Sequence, residues 1–110
     1  MQAEESIYAE LDRLGEIFAD QKAERVYLHE FRKSKKAILM KAAAVSDPKM
    51  SAASQEREAY AHPEYLELLM GLREATAKEV KTAHQIKIIE MKFEAWRSKK
   101  ATARAEMNLR

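Results

Sequence analysis

Ser46-Asp47-Pro48-Lys49 is the clearest break in a chain that is otherwise periodic on both sides of it. A proline disfavours helix at the residue before it, and Ser and Asp side chains compete for backbone hydrogen bonds. The main turn is therefore placed here. Upstream, Ile7, Leu11, Leu14, Phe18, Leu28, Phe31, Ile38, Ala42 and Val45 recur mainly in threes and fours, with a polar gap around Gln21. This predicts one long helix over about residues 4–45, started by Ser6 or the acidic pair Glu4 and Glu5 and weakened locally by Gly15.

Downstream, Ser51 or Ser54 opens a short helical segment over about 51–61, which stops near His62 because Pro63 cannot continue it. Pro63 suits a first helical position. A second long run then follows through Leu66, Leu69, Leu72, Thr76, Val80, Ala83, Ile86, Ile89, Phe93, Trp96, Lys100, Ala103 and Met107, predicting a helix over about 64–106. The expected fold is all-α and a single domain. Two long antiparallel helices form a helical hairpin with a short helix in the connection, since helices of this length outspan a compact globule of the same mass.

Pairing about the connection from Ser46 to Pro63 sets Ile7, Leu11, Leu14 and Phe18 near Met107, Ala103, Trp96 and Phe93, with the short segment as a cap. Tyr60 and Tyr65, on either side of Pro63, are expected to pack the connection. A two-stranded seam covers a narrow stripe of each helix, so Ile17, Val26, Leu39, Leu68, Met70 and Ile88 are left seeking another partner. The expectation is a homo-oligomer.

Composition narrows the class of protein. The 110 residues are 46% apolar and 35% charged, with only two Gly and two Pro, too little turn punctuation for a sandwich or barrel. No cysteine is present, which removes disulfide frameworks, thiolate metal sites and thiol nucleophiles and fits a cytoplasmic protein. The longest apolar run, from Ala42 to Val45, is far too short for a membrane span or a signal peptide core.

Chemistry-bearing motifs are missing as well. His29, His62 and His84 are isolated from one another, and position 81 is Lys where a di-iron bundle would need Glu before His84. There is no Gly-rich phosphate loop, nucleophile elbow or zinc-protease motif. The expectation is a protein that is not an enzyme and takes no metal or other cofactor.

Charge is distributed unevenly around a net +2. Residues 1–24, 25–49, 50–91 and 92–110 carry −5, +5, −2 and +4. The acidic start, with Glu4, Glu5, Glu10, Asp12, Glu16 and Asp20, faces the basic end, with Lys92, Arg97, Lys99, Lys100 and Arg104, so these two sets are expected to match each other across the hairpin. The middle cluster of Arg25, Arg32, Lys33, Lys35, Lys36 and Lys41 is opposed by a mixed segment and is the better anion site, the alternative being a solvated polar face. Cations on a helix bind nucleic-acid backbones by displacing condensed counterions, and rings among them supply stacking platforms for single strands. Tyr27 is the candidate stacking residue, whereas Phe93 and Trp96 fit the buried stripe. Arg97, Lys99 and Lys100 form a second contact if oligomerisation brings the patches onto one surface.

The stretch Glu90-Met91-Lys92-Phe93-Glu94-Ala95-Trp96-Arg97-Ser98-Lys99-Lys100-Ala101-Thr102-Ala103-Arg104-Ala105-Glu106-Met107, with Gln55-Glu56-Arg57-Glu58-Ala59 before Pro63, resembles small helical proteins that tailed bacteriophages encode beside recombination genes. In its basic helix through Lys36, polar break and second helix after Tyr65, the chain is also similar to UvsY-type recombination mediators. The likeness lies mostly in the second half. It implies an oligomer that binds single-stranded DNA and helps load a recombinase in place of a single-strand-binding protein. The other reading is a helical protein-interaction module, such as a phage-encoded inhibitor of a host protein or an assembly adaptor.

Overall fold

The computed structural model describes residues 3–109 and contains three helices, with no strand among the described residues. Helix α1 spans Ala3–Ser46, α2 Ala52–Ala61 and α3 Pro63–Asn108. The fold is the expected all-α one, long, short and long in order. The acidic pair Glu4 and Glu5 occupies the first turn of α1, where negative charge suits the unpaired amides.

The break between α1 and α2 is built by local hydrogen bonds. The Asp47 carboxylate accepts the Lys49 N–H at 3.1 Å, and the Met50 N–H donates to the Asp47 carbonyl at 3.0 Å. Ser51 then caps α2, its hydroxyl accepting the Ser54 N–H at 3.2 Å. At the α2–α3 joint, His62 donates to the Ala59 carbonyl at 3.3 Å, while its own carbonyl accepts from Tyr65 and Leu66 and its Nδ1 accepts from Glu64. Pro63 is the first residue of α3, where its missing N–H costs no helix bond.

The chain divides into two units, Met1–Ala19 with Val80–Arg110, and Asp20–Glu79. In the second, α1 turns back on α2 and the start of α3 as a helical hairpin. Its core is Leu39, Ala59 and Tyr65, with Met40 packed against them. Burying a side chain of the size of Leu39 contributes about 2 kcal/mol. Leu28, Leu68 and Leu72 are partly buried on the same seam, and Ala75 fully so. Tyr60 meets Tyr65 edge-on at 5.3 Å, so these two rings pack the connection as expected.

In the unit of Met1–Ala19 and Val80–Arg110, Tyr8 stands edge-on to Phe93 at 5.5 Å, and Phe93 stacks on Trp96 at 5.8 Å. Leu14 is buried beside a shallow hollow that Gln85, Ile88 and Ile89 also line. Thr82 is the buried polar side chain of this unit.

Three expectations are corrected. First, α2 is not a cap over the turn but the first stretch of the returning arm, since Ala59 packs on Leu39 and Glu56 reaches Lys36. Secondly, the register therefore slips by roughly the ten residues of α2. Tyr8 meets Phe93 and Leu14 lies by Ile88 and Ile89, not by Trp96 or Ala103, while Met107 stays exposed.

Thirdly, the expected stripe is covered only in part: Leu14 is buried and Ile7, Leu11, Phe18, Leu28, Leu72, Ile86, Ile89 and Phe93 are partly so, but the rest departs from it. Ile38 and Val45 on α1, and Leu66, Leu69 and Val80 on α3, are exposed, while Leu39, Tyr65, Ala75 and Glu79 are buried. Each helix carries two apolar stripes in steps of three and four, and charged side chains interrupt the one that packs. Leu39 is thus covered within the chain, Ile17, Leu68 and Ile88 are partly covered, and Val26 and Met70 remain exposed.

Candidate nucleic-acid interface

In the unit Asp20–Glu79, one hollow is lined by Arg32, Lys33, Lys36, Tyr60 and Tyr65. The three cations lie within two turns of α1, and the tyrosines arrive from α2 and the first turns of α3. Arg32 is fixed by its own helix, donating from Nε to the His29 carbonyl at 3.1 Å and from Nη2 to His29 Nε2 at 2.8 Å. Lys36 holds its ammonium 4.9 Å from the centre of the Tyr60 ring and 3.4 Å from a Glu56 carboxylate oxygen. Hydrogen bonding to Tyr60, then to Glu56, raises the Lys36 pKa above the ordinary lysine value. Lys33 is exposed at the rim. Fixed donors beside the half-exposed Tyr60 ring suit a phosphate carrying an aromatic base, while Tyr65 belongs to the buried core.

The rest of the middle cluster is divided. Arg25 binds Glu79 on α3 in a two-pronged pair, its Nη2 donating to Glu79 Oε1 at 3.2 Å and its Nε to Oε2. That hydrogen bonding raises the Arg25 pKa and commits its charge to the fold. Lys35 is 3.6 Å from Glu64. Lys41 is exposed and pairs with no carboxylate among the described residues. Tyr27 is exposed, stacked on Phe31 at 5.8 Å, and does not line the hollow.

In the unit of Met1–Ala19 and Val80–Arg110, every residue from Arg97 to Leu109 is exposed, so Arg97, Lys99, Lys100 and Arg104 face solvent. The Lys100 ammonium lies 4.7 Å from the Trp96 ring centre, and Arg97 sits over Phe93 and 3.5 Å from Glu94. The expected matching with the acidic start is not formed as ion pairs among the described residues. Glu10 takes Arg13 of its own helix at 2.6 Å, which lowers the Glu10 pKa, and Glu4 lines a hollow with Arg97, Lys100 and Arg104.

Sequence reasoning missed Tyr60 and Tyr65 as members of the hollow. The signal was available only through register, because α2 must belong to the returning arm before Tyr60 comes level with Lys36. Among the described residues, no group of three or more His, Asp or Glu side chains could hold a metal ion, and no helix is long and apolar enough to cross a membrane. Comparison with family models, curated proteins and solved structures gives no match for this chain.

Proposed function

We propose that this chain is a nucleic-acid-binding accessory protein of the phage recombination and replication mediator type, which holds single-stranded DNA electrostatically beside a recombinase or a single-strand-binding protein. The observation that carries the reading is the hollow, in which Arg32, Lys33 and Lys36 stand against Tyr60 and Tyr65. Cations supply backbone affinity without reading sequence, and a ring at the same place favours unpaired bases. Arg97, Lys99 and Lys100 on the exposed end of α3 are a second contact if oligomerisation brings the two patches onto one surface.

Fluorescence anisotropy with labelled single- and double-stranded oligonucleotides over a salt series tests this. Single strands bind more tightly, and log K falls linearly with log salt. Arg32→Gln, Lys33→Gln and Lys36→Gln together weaken binding and flatten the slope by about 0.7 for each phosphate no longer neutralised. Equal affinity for the triple variant would remove the hollow from the reading, and no binding at low salt would remove the reading itself.

A second reading is favoured by Leu66 and Met70, exposed on α3 away from its buried stripe. A protein-interaction module uses such a face, and it predicts a stable complex with another protein and no salt-dependent oligonucleotide binding.

A further inference from the structure

Within the unit Asp20–Glu79, α1 carries a second stripe that its own hairpin leaves uncovered. Tyr27, Phe31, Ser34, Ile38, Lys41 and Val45 follow one another in steps of four and three, the spacing of a coiled-coil seam. Tyr27 is 60% exposed, Ile38 56% and Val45 75%. Phe31 is partly covered by the Tyr27 ring stacked on it. The chain exposes 8663 Å² in all. A compact monomer of 12.7 kDa would expose about 6,200 Å². The stripe contributes to the surplus through the exposed parts of Tyr27, Ile38 and Val45.

The order of residues along the stripe says what covers it. Outward from residue 36, it is self-complementary when reversed: Tyr27 falls level with Val45, Phe31 with Lys41 and Ser34 with Ile38. An antiparallel second copy therefore sets apolar on apolar at both ends and a lysine ammonium beside an aromatic ring. It also brings Glu30 within reach of the partner's Lys41, twice by symmetry, and Lys41 has no carboxylate partner among the described residues of its own chain. Lys35, which the axis brings near its own copy, is already met by Glu64 at 3.6 Å. In a parallel pair the seam residue Lys41 would meet its own copy, like on like. Ala37 lies beside the axis, exposed and small enough for two backbones to approach closely.

We propose that two copies of this chain pair antiparallel through this stripe of α1, about a two-fold axis beside residues 36 and 37. The contact is independent of the nucleic-acid reading. It leaves the hollow open, because Lys33 lies about 140° round the helix from Ile38 at 3.6 residues per turn.

The absence of cysteine from the chain makes a clean test possible. Ala37→Cys in the full chain, oxidised at low protein concentration, is expected to give a covalent dimer, whereas Ala77→Cys, exposed on α3, gives none. Sedimentation equilibrium of the unaltered chain is expected to show a dimer. Ile38→Glu weakens that dimer by at least ~10-fold while circular dichroism keeps its helix content. A monomeric unaltered chain overturns the proposal, as does a dimer indifferent to Ile38→Glu or cross-linking through Ala77→Cys that equals that through Ala37→Cys.

Discussion

Lys36 lends its charge to the hollow and closes the turn onto α2. Its pKa is raised in the folded chain, first by hydrogen bonding to Tyr60 and then by Glu56. A folded pKa above the unfolded one means a stabilising contribution that is complete below the unfolded lysine value of about 10.4, and lost as the pH climbs through the folded value. Tyr60→Phe is expected to bring the Lys36 midpoint back toward ordinary lysine, followed by NMR of its Cε carbon, and an unmoved midpoint would refute the assignment. Arg25 and Glu79 form another long-range pair at this scale. Either charge left alone in a largely covered seam is unfavourable, so Arg25→Met and Glu79→Leu together should lower the melting temperature less than Glu79→Leu alone. A decrease for the double variant equal to the sum of the two single decreases would mean that the two residues are not coupled. The basic character of both cations was readable from the sequence, but their partners were not, because a carboxylate and a phenol on the other arm have no periodic signature.

The spans of the helices followed from periodicity and punctuation, and Pro63 marks the start of α3 in both. The buried face followed only in part, holding at Leu14, Leu28, Leu72, Ile89 and Phe93 and failing at Ile38, Val45, Leu66 and Val80. On α1, Phe31, Ile38 and Val45 are as regular as Leu28 and Leu39, and they are the more apolar set because Arg32 and Lys35 lie along the seam. On α3 the buried stripe includes Glu79 and Thr82, which counting apolar residues passes over. Only the hydrogen bonds to Glu79 show how a carboxylate is accommodated there. Gly71 lies inside α3, and a Cβ added there would meet nothing within 4 Å. Gly71→Ala should therefore raise stability by about 0.5–1 kcal/mol in urea unfolding, since it reduces backbone freedom in the unfolded chain without a clash. A destabilised variant would show that the groove beside Gly71 is occupied.

For the whole molecule, two Gly, two Pro and no Cys were enough to exclude β folds and disulfide frameworks, and the observed fold is all-α. The register was not readable, because whether α2 covers the turn or belongs to an arm depends on Leu39, Ala59 and Tyr65 packing together, and nothing in local spacing distinguishes the two. The hollow depends on the same choice. The cations of the middle cluster were identified from charge alone, yet Arg25, Lys35 and Lys36 proved to be met by carboxylates, and Arg32, Lys33 and Lys36 are the ones that line the hollow with the tyrosines.

The tight turn at Asp47 to Met50 also orders events in time. Pairs grow steadily more distant in sequence, from Leu39 with Ala59 and Arg25 with Glu79 at 54 residues in the unit Asp20–Glu79 to Tyr8 with Phe93 in the unit of Met1–Ala19 and Val80–Arg110. Each closure farther from the turn costs more chain entropy than the one before, unless the nearer pairs have already formed. Zipping from the turn is the cheapest route. Leu39→Ala should therefore slow refolding in stopped-flow experiments, whereas Tyr8→Ala should leave refolding almost unchanged and speed unfolding. The reverse pattern would mean that the chain ends, and not the turn, start the clock.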